Sequence, residues 1–235
     1  MKEMIRRYMA QKLGSVGACL SLLLIAILSA MMLQAGRPGL TVFVLFVLAG
    51  GLVSRDASSG ALQMILSRPI LRVEYLLGRY FGVMIAFAGY LVFTFLLAVG
   101  IDRLARVAGA SSQSSFSAAT ALARSAEELP KGALYAAVLL FFSTFLRGFG
   151  DVLAFVIGSV ILNLVPQLAM GLQKPGIVRF FRAAGANLTP EPEWSRVFHG
   201  ALLQPPAGRY ALALAGYLLL AIVIFNRREF SYGAD

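Results

Sequence analysis

Six stretches of this 235-residue chain are apolar over lengths that approach or reach a full bilayer crossing. A hydrocarbon core of about 30 Å takes about 20 residues of helix per span. Inside it each backbone N–H and C=O must find its partner within the segment, so runs of this kind can only cross as α-helices. They lie at about 15–33, 41–53, 80–101, 133–146, 152–172 and 210–225 and take up about half of the sequence. Composition agrees, with 59% hydrophobic and 14% charged residues, where soluble domains carry roughly 25% charged. Mean hydropathy is +0.78. No room is left for a soluble domain of ordinary size, so residues 1–235 read as a single all-α membrane domain of six transmembrane helices.

The segments around the runs refine this picture. A basic tail with Lys2, Arg6, Arg7 and Lys12 precedes the first run, as in a cleaved signal peptide. The apolar region of a signal peptide is only about 7–15 residues long, and the longer run Ser15–Leu33 predicts a retained span. Within the tail, Met1, Met4, Ile5, Tyr8, Met9 and Leu13 recur at helical spacing while Arg6, Arg7 and Gln11 turn away. That pattern predicts an amphipathic helix over 1–13 lying in the membrane interface. The single cysteine, Cys19, falls inside a span and reads as a small apolar residue. The net charge of +10 is spread over short segments between apolar runs and forms no soluble basic face. It points to anionic lipid headgroups, not to nucleic acid.

"AGRPGL" (Ala35 to Leu40) predicts a tight turn that joins the first two spans into a hairpin, and "RGFGD" (Arg147 to Asp151) a short turn between the fourth and fifth. Residues 102–131 are rich in Ala and Ser and are expected outside the membrane, partly helical. Before the last span, "KPGIVRFFRAAG" and "LTPEPEWSRVFHG" read as amphipathic pieces, with Trp194 as an interface anchor. Gly50 and Gly51, in the second span, are expected to allow close helix packing. An even number of spans puts both ends on one side. Of the 21 Lys and Arg, eleven fall on the side of the termini, a nearly even split under the positive-inside rule. The basic tail before the first span, and Arg227 and Arg228 after the last, place both termini in the cytoplasm.

One segment fits neither span nor turn. "SRDASSGALQMILSRPILRVEYLLGRY" (Ser54 to Tyr80) is too polar for the bilayer and too regular for a loop. Ala61, Leu62, Met64, Ile65 and Leu66 make an apolar patch on a short helix that starts near Arg55 and Asp56. Pro69 ends that helix and can open the next, since proline suits a first helical turn. Leu71, Val73, Leu76 and Leu77 then lead toward the third span, with Arg72, Glu74 and Arg79 on the wet side. A surface helix–turn–helix of this kind suits either a partner's groove or a bed of lipid headgroups.

"RDASSGALQMILSRPILRVEYLLGRY" resembles the cytoplasmic coupling segment of ABC-2 type transporter permeases. Asp56, Gly60, Leu62, Leu66, Pro69, Arg72, Gly78 and Arg79 stand at that family's acidic, glycine, leucine, proline, basic and glycine-basic positions. The ending "AIVIFNRREFSYG" is similar to the family's last span and its arginine-rich tail. The resemblance implies the transmembrane subunit of an exporter in the inner (cytoplasmic) membrane, with a cytoplasmic coupling helix between spans two and three. It implies a separate ABC ATPase subunit that binds ATP and Mg, docked on Arg55, Asp56, Gly60, Leu62, Met64, Ile65, Leu66, Arg68, Pro69 and Arg72, and a second copy of the chain or a related permease as dimer partner. Consistent with a missing motor, the sequence contains no G-x-x-x-x-G-K-[ST] phosphate loop.

Other readings leave fewer traces. Ser159, Asn163 and Gln167 recur every four residues along the fifth span and predict a polar stripe, either in a subunit interface or along a substrate path. "EELPKG" (Glu127 to Gly132) begins like the glutamate pair of a CAAX-type intramembrane protease, but Gly132 stands where the arginine belongs. "SSG" at Ser58 to Gly60 lacks the G-x-S-x context of a rhomboid nucleophile. His199 is isolated, and no His, Cys or carboxylate group has metal-ligand spacing, so no metal, cofactor or catalytic site is expected in this chain. An ATP-independent carrier or channel is the alternative reading; a carrier would be favoured by ionisable residues at mid-span, and none is read there.

Overall fold

The computed structural model describes residues 15–37, 39–53, 71–108, 117–146, 150–190 and 205–227, together with Ile5, Arg6, Ala10 and Asp56. Among these residues seven helices are delimited: α1 (Val16–Gln34), α2 (Thr41–Ala49), α3 (Arg72–Val107), α4 (Ala118–Ser143), α5 (Gly150–Gly171), α6 (Pro175–Leu188) and α7 (Pro205–Arg227). Four of them, α1, α3, α5 and α7 from Ala207 onward, are long and apolar enough to cross a membrane. Their outer faces carry Leu20, Leu24, Leu153, Leu168, Leu212 and Leu219, each more than half exposed. Exposed leucine in this density belongs in lipid or against another membrane chain. The protein is therefore an all-α membrane protein. The amphipathic helix expected over 1–13 lies almost wholly outside the described residues, and Trp194 and His199 lie entirely outside them.

The chain divides into two compact units, Met1–Ala49 with Leu77–Ala136 and Gly50–Leu76 with Ala137–Asp235. In the first, α1 ends in a Schellman motif, in which the Arg37 N–H reaches the Met32 carbonyl at 2.8 Å and the Gly36 N–H reaches Leu33 at 3.1 Å. Gly36 takes φ +70, which glycine adopts without steric cost. The predicted hairpin turn is thus present. Ser29 Oγ accepts two hydrogen bonds near it, from the Leu40 N–H at 3.1 Å and the Tyr90 hydroxyl at 2.9 Å. Fully buried Ala30 and Ala98, with Leu33, let α1 approach α3 closely enough for the Gln34 amide to donate to the Ala98 carbonyl at 3.1 Å. Further along, the Thr41 hydroxyl and Lys131 Nζ both donate to the Glu128 carboxylate, which is buried. Gly132 lies against the ring of Phe87.

The second unit holds the end of α4, then α5, α6 and α7. α5 also closes in a Schellman motif: Lys174 N–H to the Ala169 carbonyl at 2.9 Å, and Gln173 N–H to Met170 at 3.1 Å. Here the left-handed position is filled by Gln173, at φ +53. α6 packs against α5, and its last residue is tied to α7, where the Tyr217 hydroxyl donates to the Leu188 carbonyl at 3.1 Å. Tyr217 also packs against Phe141 of α4, with ring centroids 5.9 Å apart.

Several helix boundaries differ from the sequence expectation. The second apolar run, expected as helix over 41–53, stops at Ala49, because Gly51 turns to φ +71 and leaves the helical region. Gly51 therefore serves the turn, not helix packing. The fourth run, expected over 133–146, is the second half of a helix that begins at Ala118 and ends at Ser143. The alanine-rich start favours helix, and the helix continues through Pro130 although that residue lacks an N–H and crowds the carbonyl four residues before it. Glu127 and Glu128 are thereby helical, and Glu128 is committed to Thr41 and Lys131. α3 starts eight residues ahead of the expected span and ends six beyond it. At 1.5 Å per residue its 36 residues reach about 54 Å, well past a hydrocarbon core of about 30 Å.

Candidate functional site

The segment singled out by the sequence is held at both ends by buried hydrogen bonds of the second unit. At its entry the chain leaves Ala49 through Gly50–Val53. The turn exposes amides that no helix can satisfy, and two side chains take them. Asp151 Oδ2 accepts the Gly51 N–H at 2.8 Å, and Ser143 Oγ accepts the Val53 N–H at 2.9 Å. Asp151 and Ser143 are both completely buried. The other carboxylate oxygen, Asp151 Oδ1, accepts the Val152 N–H at 2.9 Å in the first turn of α5. A carboxylate is favoured there because helix N-termini carry unpaired amides and partial positive charge.

At the exit the segment runs into α3, whose first turns are fixed to the end of α7. Arg72 Nη1 donates to the Asn226 carbonyl at 3.0 Å, serving one of the carbonyls that a helix C-terminus leaves open. The ring of Tyr75 lies parallel to that of Phe225, with centroids 5.8 Å apart and planes 16° from parallel. The Tyr75 hydroxyl donates to Asp56 Oδ2 at 2.7 Å, and Asp56 is only 4% exposed. Asp56 thus stitches the start of the segment to its end.

Of the residues that the sequence assigns to a docking face, Asp56 and Arg72 are described, and both face into this frame. Arg55, Gly60, Leu62, Met64, Ile65, Leu66, Arg68 and Pro69 lie outside the described residues. Sequence reasoning missed Tyr75, Ser143, Asp151, Phe225 and Asn226. Asp151 did carry a signal, as a lone acid between a glycine turn and an apolar run. The aromatic pair did not, since Tyr75 and Phe225 read as ordinary apolar positions. Among the described residues the stripe on α5 is brought to no other element: Ser159 is half-buried, and Asn163 and Gln167 are exposed. Asn163 Nδ2 turns back to the Ser159 carbonyl at 2.8 Å. Among the described residues no group of three or more His, Cys, Asp or Glu could hold a metal ion.

The residues on either side of 54–70 are thus tied to α5 through Asp151 and to α7 through Tyr75 and Arg72. None of the curated proteins matches the chain. The family described as ABC-2 family transporter protein matches residues 5–171, more than half of the sequence and all of the segment with most of its frame. The chain belongs to that family of membrane transport proteins.

Proposed function

We propose that this chain is the permease subunit of an ABC exporter, driven by ATP that a separate ATPase subunit hydrolyses. The ATPase, holding ATP and Mg, docks on residues 54–80, with Leu62, Met64, Ile65 and Leu66 as apolar anchors and Arg55 and Arg68 around them. Asp56 and Arg72 belong to the frame behind that surface. The observation that supports this reading is the frame: a segment that only lay on lipid would not need both ends held by buried, charge-assisted bonds. In this reading the chain crosses the inner membrane six times with both termini in the cytoplasm. α2 and the apolar half of α4 complete the count.

The polar stripe of α5 supports pairing with a second copy or a close relative. Asn163 and Gln167 would otherwise place amides in hydrocarbon, where polar side chains normally face protein or water. Partner contacts along Ser159, Asn163 and Gln167 relieve this.

The deciding experiment replaces Leu62 with Asp in the full-length protein, expressed with its own ATPase. An unpaired charge in an apolar groove costs several kcal/mol on the order of a lost interface anchor. The expected result is normal membrane insertion with no co-purifying ATPase and no ATP-dependent transport. Retention of the ATPase at the wild-type level would reject residues 54–80 as its dock.

A further inference from the structure

α6 begins at Pro175, directly after the Schellman turn of α5, and lies against that helix. None of its residues is buried. Ile177 and Phe180 are 45% and 67% exposed, and Phe181 is half-buried. Its C-terminal residue is bound by Tyr217, the midpoint of the apolar stretch 207–227. One end of α6 therefore starts at the tip of a spanning helix and the other reaches the level of the middle of its neighbour, which puts its length alongside acyl chains.

Against that background its charges stand out. Lys174, Arg179 and Arg182 line a single concavity of about 500 Å³, together with Met170, Gln173 and Val178. The sequence has no Asp or Glu between Asp151 and Glu191. Among the described residues, the one side-chain hydrogen bond or ion pair of these cations is from Arg182 Nη2 to the thioether of Met170 at 3.3 Å. A thioether is a weak acceptor and leaves the charge unbalanced. Cations beside hydrocarbon are costly unless they meet an anion or reach the headgroup layer. Guanidinium groups pair preferentially with phosphate, through two parallel N–H···O bonds.

We infer that Lys174, Arg179 and Arg182 bind the phosphate of an anionic phospholipid, whose acyl chains run along the exposed apolar side of α6. The chemistry shared with inorganic phosphate is a pair of unesterified, negatively charged phosphoryl oxygens; the exposed Ile177 and Phe180 favour the lipid as its source. Such a lipid would sit between the tip of α5 and α6 and hold that helix against the membrane.

The test uses the full-length protein in detergent and native mass spectrometry with three added probes: dioleoyl-phosphatidylglycerol, dioleoyl-glycerol without phosphate, and inorganic phosphate. Wild type should retain phosphatidylglycerol and not the diacylglycerol, and inorganic phosphate should not displace the lipid. Arg179→Gln with Arg182→Gln should lose phosphatidylglycerol by roughly tenfold or more, the scale of a removed charge-assisted pair. Arg103→Gln, at an exposed cation on α3, should not. Equal retention by wild type and the double variant would overturn the site and leave a merely solvated basic face. Displacement by inorganic phosphate would overturn the lipid as its occupant. If the double variant fails to fold, raising the salt concentration on wild type decides instead: retention must fall, and retention independent of salt would reject the pairing.

Discussion

A carboxylate without exposed surface has to be held by donors, and Asp151 is held by the amides of Gly51 and Val152, one on each oxygen. Asp151→Asn keeps the shape but points an N–H₂ group at one of those two amides. Hydrogen bonds to charged groups are worth about 1.5–3 kcal/mol, and the variant should be destabilised by about that much. A lower thermal midpoint in detergent checks it, and an unchanged midpoint would mean the turn after α2 does not depend on this side chain. Gly132 is the second sensitive residue. A Cβ there would meet Phe87 Cε1 at 2.2 Å, and Phe87 is completely buried. Gly132→Ala should cost about 1–3 kcal/mol by overpacking. Adding Phe87→Leu should recover part of that loss if the clash is its cause. The sequence marked Asp56 and Arg72 through a motif, yet both turn toward partners that carry no motif, Tyr75 and Asn226.

Among the elements, the two hairpins that begin at the ends of α1 and α5 make a natural comparison, because both use the same pair of Schellman bonds. The first has Gly36 at φ +70 and the second Gln173 at φ +53. A residue with a Cβ loses roughly 1–2 kcal/mol in the left-handed region. Gln173→Gly should therefore stabilise the α5–α6 hairpin by about 1 kcal/mol, less the extra backbone freedom glycine has when unfolded. A rise in the thermal midpoint is expected; a fall would mean that the Gln173 side chain contributes more than its backbone strain costs. The first turn was legible because Gly and Pro announce it; at the second, Pro175 and Gly176 mark that α5 ends, but glutamine gives no sign of the left-handed position. Helix lengths failed for a related reason. Hydropathy counts Gly50–Val53 as part of a span, although φ +71 at Gly51 ends the helix. It excludes Glu128 and Lys131 from α4, although their mutual ion pair at 3.3 Å lets the helix carry them.

For the whole molecule, the proposed topology makes a prediction that a labelling experiment reads directly. Single cysteines at Ser58 and Ser112, in a Cys19→Ser background, should react from opposite sides of the membrane, Ser112 from outside and Ser58 only from the cytoplasm. The Cys19 replacement is needed because that thiol is exposed. Labelling of both from one side would remove a crossing from the count. The reverse pattern would put residues 54–80 where no ATPase can reach them.

Apolar runs by themselves determined that this chain is helical and lives in a membrane, since hydrocarbon offers the backbone no other partner. The segment at 54–80 was likewise visible as sequence, because a short polar amphipathic stretch between spans breaks the local pattern. What holds that segment is a matter of tertiary structure alone. Gly51 and Asp151 are 100 residues apart, Val53 and Ser143 are 90, and Arg72 and Asn226 are 154. Such pairs have no local signature: a buried carboxylate and a lipid-facing one look the same until folding brings an unpaired amide beside it. Hydropathy is summed over neighbours in sequence, whereas hydrogen bonds of this kind are settled between neighbours in space.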